Sequence, residues 1–264
     1  MPNHRVIIGS IAFALLVLLG VAACGGSSDE GTSVASTDPT APATSEVIEA
    51  AEITPAPAPD PTTVPADFAV RGSVNQLHVL EAEPGAQLEL VAANGTALPG
   101  TVDQLGSLLW RDIAAGEYVV RGTGEEPLPQ SEPATVTTPA DVPAPDLYSD
   151  QSLDDGFGYL TTRDGTTLST NVWLPGPVED GPYPTLVEYS GYSPSNPADG
   201  TFAQLYNALG YAYVGVNIRG TGCSGGSFEF FEPVQLTDGY DMVEAVAAQA
   251  WVEDNEAGMV AGSY

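Results

Sequence analysis

The chain has 264 residues, with 35 acidic residues against six arginines and no lysine, and its formal net charge is −29. This charge excludes nucleic acid as an expected partner, because phosphate binding needs a basic surface. A hydrophobic content of 43% supports a folded core, and two cysteines are too few for a disulfide scaffold. The length allows one large domain or two small ones.

The N-terminus carries a targeting signal. Arg5 precedes an apolar run over residues 6–23, which ends in small residues directly before Cys24. The arrangement resembles the lipobox of a bacterial lipoprotein signal, which implies that residues 1–23 are cleaved as a signal peptide and that Cys24 is lipidated. An uncleaved anchor helix is the alternative. Under both interpretations the protein is anchored at the membrane and lies outside the cytoplasm.

Two segments have the composition of disordered linkers. Residues 24–67 are rich in Ser, Thr, Ala and Pro, contain no basic residue and show no period, which predicts an acidic stalk. Residues 123–146 are rich in Pro, Glu and Thr and predict a second linker. Between them, residues 68–122 show short alternating runs separated by turn signals, which predicts a small all-β, sandwich-like module. We expect this module to be a spacer or packing domain, with substrate recruitment as the alternative.

Residues 147–264 alternate strand-like and helix-like patterns and therefore predict a parallel α/β sheet. The run 202–209 has helical spacing and stops at Gly210, whereas 212–218 is almost continuously apolar, as in a strand covered on both faces. The run 238–250 predicts a second helix, with Asp238 as its N-cap.

The C-terminal residues 258–264 contain a candidate catalytic nucleophile. A short apolar run enters Gly262–Ser263 among small neighbours, which is the local pattern of a nucleophile elbow. In that sharp turn the serine hydroxyl is exposed at the end of a strand, and the next backbone N–H can donate to an oxyanion.

Five motifs then occur in a family-specific order over residues 147–264. They are Arg163-Asp164-Gly165-Thr166, Glu188-Tyr189-Ser190-Gly191-Tyr192-Ser193-Pro194, Asn217-Ile218-Arg219-Gly220-Thr221-Gly222-Cys223-Ser224-Gly225-Gly226, Asp238-Gly239-Tyr240-Asp241 and Gly258-Met259-Val260-Ala261-Gly262-Ser263-Tyr264. Together they resemble the N-terminal part of the X-Pro dipeptidyl-peptidase/cocaine esterase (CocE/NonD) family. The resemblance implies an α/β-hydrolase fold, truncated at the nucleophile elbow.

The resemblance also implies roles for individual residues. Ser263 matches the nucleophile, while the hydroxyl of Tyr192 and the backbone N–H of Tyr264 match the oxyanion hole. Arg219 and Asp241 match scaffold residues without chemistry. Ala261 and Asn217 depart from the family pattern, where Gly and commonly Asp stand. The implied substrates are small acyl esters or amides, or peptides with an Xaa-Pro N-terminus.

A serine nucleophile also needs a general base and an orienting carboxylate, which α/β-hydrolases place after the serine. The only histidines, His4 and His78, lie in the signal segment and in the β module. We therefore expect an N-terminal fragment of a longer serine hydrolase that is inactive by itself. The alternative is a non-catalytic surface lipoprotein with a binding β module and a degenerate hydrolase remnant. We expect no cofactor and no metal, and we expect Cys223 to be a small residue of a Gly-rich loop.

Overall fold

The structure is a computed structural model that describes residues 55–57 and 62–261. The predictions for Cys24, Ser263 and Tyr264, and those for the signal segment, lie outside the described residues. Within the described ranges, no helix is long and apolar enough to span a membrane.

The N-terminal part of the described chain is an all-β module of two sheets. Its strands are β1 (Thr63–Pro65), β2 (Ala69–Ser73), β3 (Gln76–Leu80), β4 (Gln87–Ala92), β5 (Ala97–Thr101), β6 (Leu108–Arg111), β7 (Gly116–Gly122), β8 (Leu128–Gln130) and β9 (Ala134–Val136). One sheet has the order β1-β8-β7-β4-β5 with β9 also paired to β7, and the other has the order β2-β3-β6. Alternating apolar side chains from both sheets, among them Leu77, Leu90 and Val120, form the module's core.

The module extends further in both directions than the sequence pattern predicts. Residues 123–146, predicted to be a linker, contain β8 and β9, and both strands pair with β7. The end of the predicted stalk contains β1, which pairs in parallel with β8. Each of these strands has three residues and lies among prolines, so none is long enough to show the two-residue alternation that identifies a strand. The linker assignment of 123–146 is therefore wrong.

The C-terminal part is an α/β domain. Its elements are α1 (Asp146–Ser149), β10 (Gly156–Thr161), β11 (Thr167–Trp173), a 3₁₀ turn (Val178–Asp180), β12 (Tyr183–Ser190), α2 (Thr201–Ala208), β13 (Ala212–Asn217), α3 (Pro233–Ala247) and β14 (Val252–Met259). The sheet order is β10-β11-β13-β12-β14. β11 is antiparallel to β13, whereas β12 is parallel to both β13 and β14. Counted from β10, the order is 1-2-4-3-5 with an antiparallel second strand, which is the order of the α/β-hydrolase sheet.

Two crossover helices enclose this sheet. The chain moves from β12 to β13 through α2 and then back past β12 to β14 through α3. Because such crossovers are right-handed, α2 and α3 lie on opposite faces of the sheet. All six residues of β13 are buried, which confirms the strand predicted from its continuous apolar run. Met242 and Val246 of α3 join the core of the domain.

The start of α3 differs from the sequence prediction. The helix begins at Pro233, five residues before Asp238, with Glu232 as its N-cap residue. Proline is favoured in the first helical turn because its missing N–H would have no intrahelical partner there. Asp238 is fully buried inside the helix and binds Arg219 instead of capping.

The β module contacts the α/β domain through polar groups. The Ser73 hydroxyl at the end of β2 donates to Asp164, and Arg71 donates to the carbonyl of Gly165 at 3.2 Å. Gln76 of β3 donates to Glu232 at 3.0 Å. The module thus bonds both to the first hairpin turn of the α/β domain and to the start of α3.

We predict that truncating a core side chain of the sheet destabilises the domain strongly. Leu168 of β11 is fully buried, so Leu168→Ala should lower the free energy of unfolding by about 2–5 kcal/mol. Urea denaturation of the full chain measures the change. Leu205→Ala on α2 is the matched control, since Leu205 is 55% exposed, and it should cost about 1 kcal/mol or less. Equal losses from both variants would contradict the placement of the core.

Candidate functional site

The candidate site lies at the carboxyl edge of the parallel strands. Ser190 at the end of β12 is opposite Asn217 at the end of β13. Met259 at the end of β14 is opposite Val187, and the N–H of Val260 still bonds to the carbonyl of Val187 at 2.9 Å. The loops that follow these three strands therefore leave the sheet at one edge, which is where open α/β sheets bind their ligands.

Tyr192 is the one predicted catalytic side chain among the described residues. It lies in the loop after β12, two residues beyond Ser190, and it is 63% exposed. An exposed phenol at this edge can present its hydroxyl to a bound ligand, because the loop holds the backbone and leaves much of the ring accessible.

Asn217 holds that loop in place. Its Nδ2 donates to the carbonyl of Tyr192 at 2.9 Å and to the Thr221 hydroxyl at 3.1 Å. Its Oδ1 accepts from the Ser195 hydroxyl at 2.6 Å and from the Ser195 N–H at 3.2 Å. The side-chain amide of Asn217 therefore uses its N–H donors and its oxygen acceptor at the same time. An aspartate at this position would lose the two donors, so the departure from the family pattern has a structural use here.

Gly215 explains how the same loop approaches the sheet so closely. A Cβ atom on this residue of β13 would lie 1.9 Å from the carbonyl oxygen of Pro194. Only glycine allows that approach, since any side chain would displace the loop that carries Tyr192. Gly215 is not among the residues predicted from the sequence, although a glycine inside a buried apolar strand is a recognisable signal of close backbone contact.

A buried ion cluster fixes the next loop. Arg219 follows β13, its side chain is 4% exposed, and it donates to both carboxylate oxygens of Asp238 at 2.5 Å and to Asp164 at 3.0 Å. Burial alone would raise the pKa of Asp164, but the positive charge of Arg219 and hydrogen bonds from Ser73 and Thr166 hold it well below its usual range. The cluster joins the first hairpin turn, the loop after β13 and α3.

Arg163 and Asp241 form a second buried ion pair. Arg163 donates to Asp241 from both Nε and Nη2, and the Tyr148 hydroxyl donates to the same carboxylate at 2.7 Å. Burial and the hydrogen bond to Asp241 raise the pKa of Tyr148. Asp238 and Asp241 are three residues apart and so share one face of α3. The two arginine–aspartate pairs therefore join residues of three of the five sequence motifs, namely the first, third and fourth, into one scaffold.

Two other side chains that could take part in catalysis or metal binding are His78 and Cys223. His78 of β3 is 2.6 Å from the Ser107 hydroxyl within the module, and burial lowers its pKa. Cys223 is an exposed free thiol in the Gly-rich loop. Over residues 55–57 and 62–261, no group of three or more His, Cys, Asp or Glu side chains could hold a metal ion.

We predict that Arg219→Leu destabilises the fold severely. It removes the partner of two buried carboxylates and should lower the free energy of unfolding by about 3–5 kcal/mol. Chemical denaturation checks this value. Arg121→Leu, which removes a partly exposed pair with Glu89 at 3.6 Å, should cost about 1 kcal/mol or less. A loss for Arg219→Leu as small as that of the control would contradict a buried cluster.

We predict a specific acid sensitivity from Asp164. Because its pKa is lower in the folded chain than the ordinary value of about 3.9, its ionised form stabilises the fold above that pH. This stabilisation is lost as the pH falls from about 5 toward the folded-state pKa. Asp164→Asn should therefore reduce the slope of the thermal midpoint against pH between about 5 and 2.5. The exposed Asp180→Asn variant is the control, and a slope unchanged by Asp164→Asn would refute the assignment.

Comparison with known proteins gives one family match. The family model of the X-Pro dipeptidyl-peptidase (S15 family) matches residues 164–264. No curated protein matches the chain.

Several solved structures resemble part of the chain. Est1E from Butyrivibrio proteoclasticus, solved with ferulic acid, has 20% identity and a TM-score of 0.33, covering 39% of this chain and 41% of its own. A CocE/NonD family hydrolase from Staphylococcus aureus has 23% identity and a TM-score of 0.34, covering 39% and 22%. An esterase from Pyrococcus furiosus has 20% identity and a TM-score of 0.31, covering 46% and 44%. The chain thus matches less than half the length of each.

The family match begins at Asp164 in the first hairpin turn and runs through the loops at the carboxyl edge. It includes β11, β12, β13 and β14, and β10 precedes it. The part of the chain that matches this family model is therefore the α/β domain from its first hairpin turn onward, residues 164–264.

Proposed function

We propose that this chain carries the nucleophile half of a serine hydrolase active site. The observation that carries the proposal is the family match over residues 164–264, which includes Ser263. Support comes from the carboxyl edge of the sheet, where the loops after β12 and β13 are fixed against each other by Asn217.

In the proposed reaction, the Ser263 hydroxyl attacks the carbonyl carbon of an ester or amide. Its proton passes to a general base, and the carbonyl oxygen becomes an oxyanion. The leaving alcohol or amine departs with that proton and leaves an acyl-enzyme, which water then hydrolyses to regenerate the serine. The Tyr192 hydroxyl and the Tyr264 N–H donate to the oxyanion, and each such donor lowers the barrier by about 3–4 kcal/mol in comparable enzymes.

Neither histidine of this sequence is placed to act as the general base for Ser263. His4 and His78 both precede Ser263, and His78 bonds to Ser107 within the module. We therefore propose that a longer form of the protein supplies both groups after the serine, in the order that α/β-hydrolases use. The substrate is an acyl ester or amide, or a peptide with an Xaa-Pro N-terminus.

We also propose that the enzyme works outside the cytoplasm, anchored to the bacterial membrane through lipidated Cys24. The support is the apolar run over residues 6–23 followed by small residues and a cysteine. A net charge of −29 disfavours nucleic acid as a partner. The competing function, a non-catalytic lipoprotein with a degenerate hydrolase domain, predicts no activity from any longer form.

We predict that the 264-residue chain by itself does not turn over p-nitrophenyl butyrate above the buffer background, because Ser263 lacks a base. Ser263→Ala is the control and should give the same rate. Turnover by the chain that disappears in Ser263→Ala would contradict the need for further residues. A longer form with Asp and His after the serine should hydrolyse the ester, and Tyr192→Phe in that form should lower kcat by about 100-fold or more.

A further inference from the structure

The β module lies at the carboxyl edge of the parallel strands, on the side of the β10–β11 hairpin. β11 is antiparallel to β13, with Thr170 opposite Val216, so the hairpin turn before β11 lies at the carboxyl end of β13. The N–H of Gly225, in the loop after β13, bonds to the carbonyl of Thr167 at 2.8 Å and keeps that loop beside the turn. The module bonds to this turn and to the start of α3, and it therefore borders the edge that contains the candidate site.

The contacts that hold the module there are polar and complementary in charge. Glu232, whose side chain is 6% exposed, accepts from Arg111 Nε and from Gln76 Nε2, the latter at 3.0 Å. Arg111 also donates to Ser227 at 3.1 Å and pairs with Glu229 at 3.3 Å. We call the bonds of Arg111 and Gln76 to Glu232 the latch. The donors of the latch belong to the module and its acceptor belongs to the α/β domain, so charge fixes which surface of the module faces the domain.

The junction between the two parts is packed more loosely than either part. The module and the α/β domain have separate clusters of buried apolar side chains. Two cavities, of about 200 and 270 Å³, lie at the junction. Protein interiors are close-packed, whereas polar interfaces between domains commonly permit relative motion. The junction therefore has the character of a separable contact between two folded units.

The chain that connects the two parts contains a short hinge. The N–H of Thr137 bonds to the carbonyl of Ser73 at 3.0 Å, which fixes Thr137 to the module. The carbonyl of Asp141 accepts from Arg163 Nη1 at 2.6 Å, which fixes Asp141 to the α/β domain. Only residues 138–140 lie between these two fixed points, and we call them the hinge. Hinges in proteins are typically a few loop residues of this kind.

The two cavities show which contact lies near the hinge. Thr137 and Asp141 border the larger cavity together with Ser73 and Asp164, so the bond from Ser73 to Asp164 is next to the hinge. A rotation at the hinge therefore displaces the latch more than it displaces the Ser73 contact. The latch borders the smaller cavity, which is lined by residues 74–76, 111–112 and 229–233.

We propose that the β module is a lid on the carboxyl edge, which rotates about the hinge and is held closed by the latch. In the closed position it covers the approach to that edge from the side of the β10–β11 hairpin. Opening exposes the Glu232 carboxylate to water, which solvates it in place of its two donors. A role of the lid in admitting substrate rests on the proposed hydrolysis, whereas the motion itself does not.

The test is a distance measurement between the module and the α/β domain by pulsed electron spin resonance on the full chain. Spin labels are attached through Leu105→Cys in the module and Leu205→Cys on α2, whose native side chains are 90% and 55% exposed. Cys24→Ser and Cys223→Ser remove the native thiols. We expect the closed position to dominate in this labelled chain and to give one short, narrow distance distribution.

A double variant releases the latch. Arg111→Leu together with Gln76→Leu removes both donors and leaves Glu232 as a buried carboxylate without them, so the ratio of long to short distances should rise about tenfold or more. Arg121→Leu together with Gln87→Leu is the matched control. It makes the same two replacements in β7 and β4, which belong to the other sheet of the module, and should leave the distances unchanged.

An unchanged distance distribution in the latch variant would overturn the proposal, as would an equal change in the control. A label pair within the α/β domain, Leu205→Cys with Glu253→Cys, distinguishes opening from unfolding and should keep its distance in every variant. If that pair shows that the double variant unfolds, Arg111→Leu alone decides the result. A rise in its long-distance fraction of about threefold or more supports the lid, and an unchanged fraction contradicts it. No substrate is present, so a failure of the proposed hydrolysis would not alter these distances.

Discussion

The buried guanidinium of Arg219 is the interaction on which the described fold depends. It holds Asp238 of α3 and Asp164 of the first hairpin turn, and Asp164 in turn accepts from Ser73 of the β module. Removing one member would leave buried charges unpaired, which costs far more than an exposed pair contributes. The hairpin turn, the loop after β13, α3 and the module are therefore constrained as one unit. Asp241 adds a second arginine pair on the same helix face.

The main effect of this ion cluster is to fix the positions of the loops. A well-packed apolar cluster could stabilise the fold as much. The loop that begins at Arg219 lies beside the loop that carries Tyr192, and Asn217 bonds to residues of both. Gly215 lets the loop that carries Tyr192 close onto β13. Catalysis by oxyanion stabilisation requires donors fixed in advance, so rigid loops at this edge suit the proposed hydrolysis.

Much of the α/β domain could be predicted from local pattern. The apolar run at β13 and the glycine stop after α2 correspond to observed elements, because burial on two faces and helix termination leave local signals. Other features depended on distant partners. Asp238 looked like a helix cap because its side-chain type favours caps, yet Arg219, nineteen residues away, draws it into the interior. The strands β8 and β9 are short and proline-flanked, so only their pairing with β7 reveals them. The contacts of Ser73 with Asp164 and of Gln76 with Glu232 join residues far apart in the chain, so no local pattern reveals them.

The most direct test of the hydrolase account is to sequence the gene through and past codon 264. The account predicts that the frame continues with one residue and then a glycine, completing the elbow around Ser263, and that an aspartate and a histidine follow in that order. A stop codon directly after Tyr264 would contradict the enzyme assignment for this chain and would favour the tethered, non-catalytic lipoprotein.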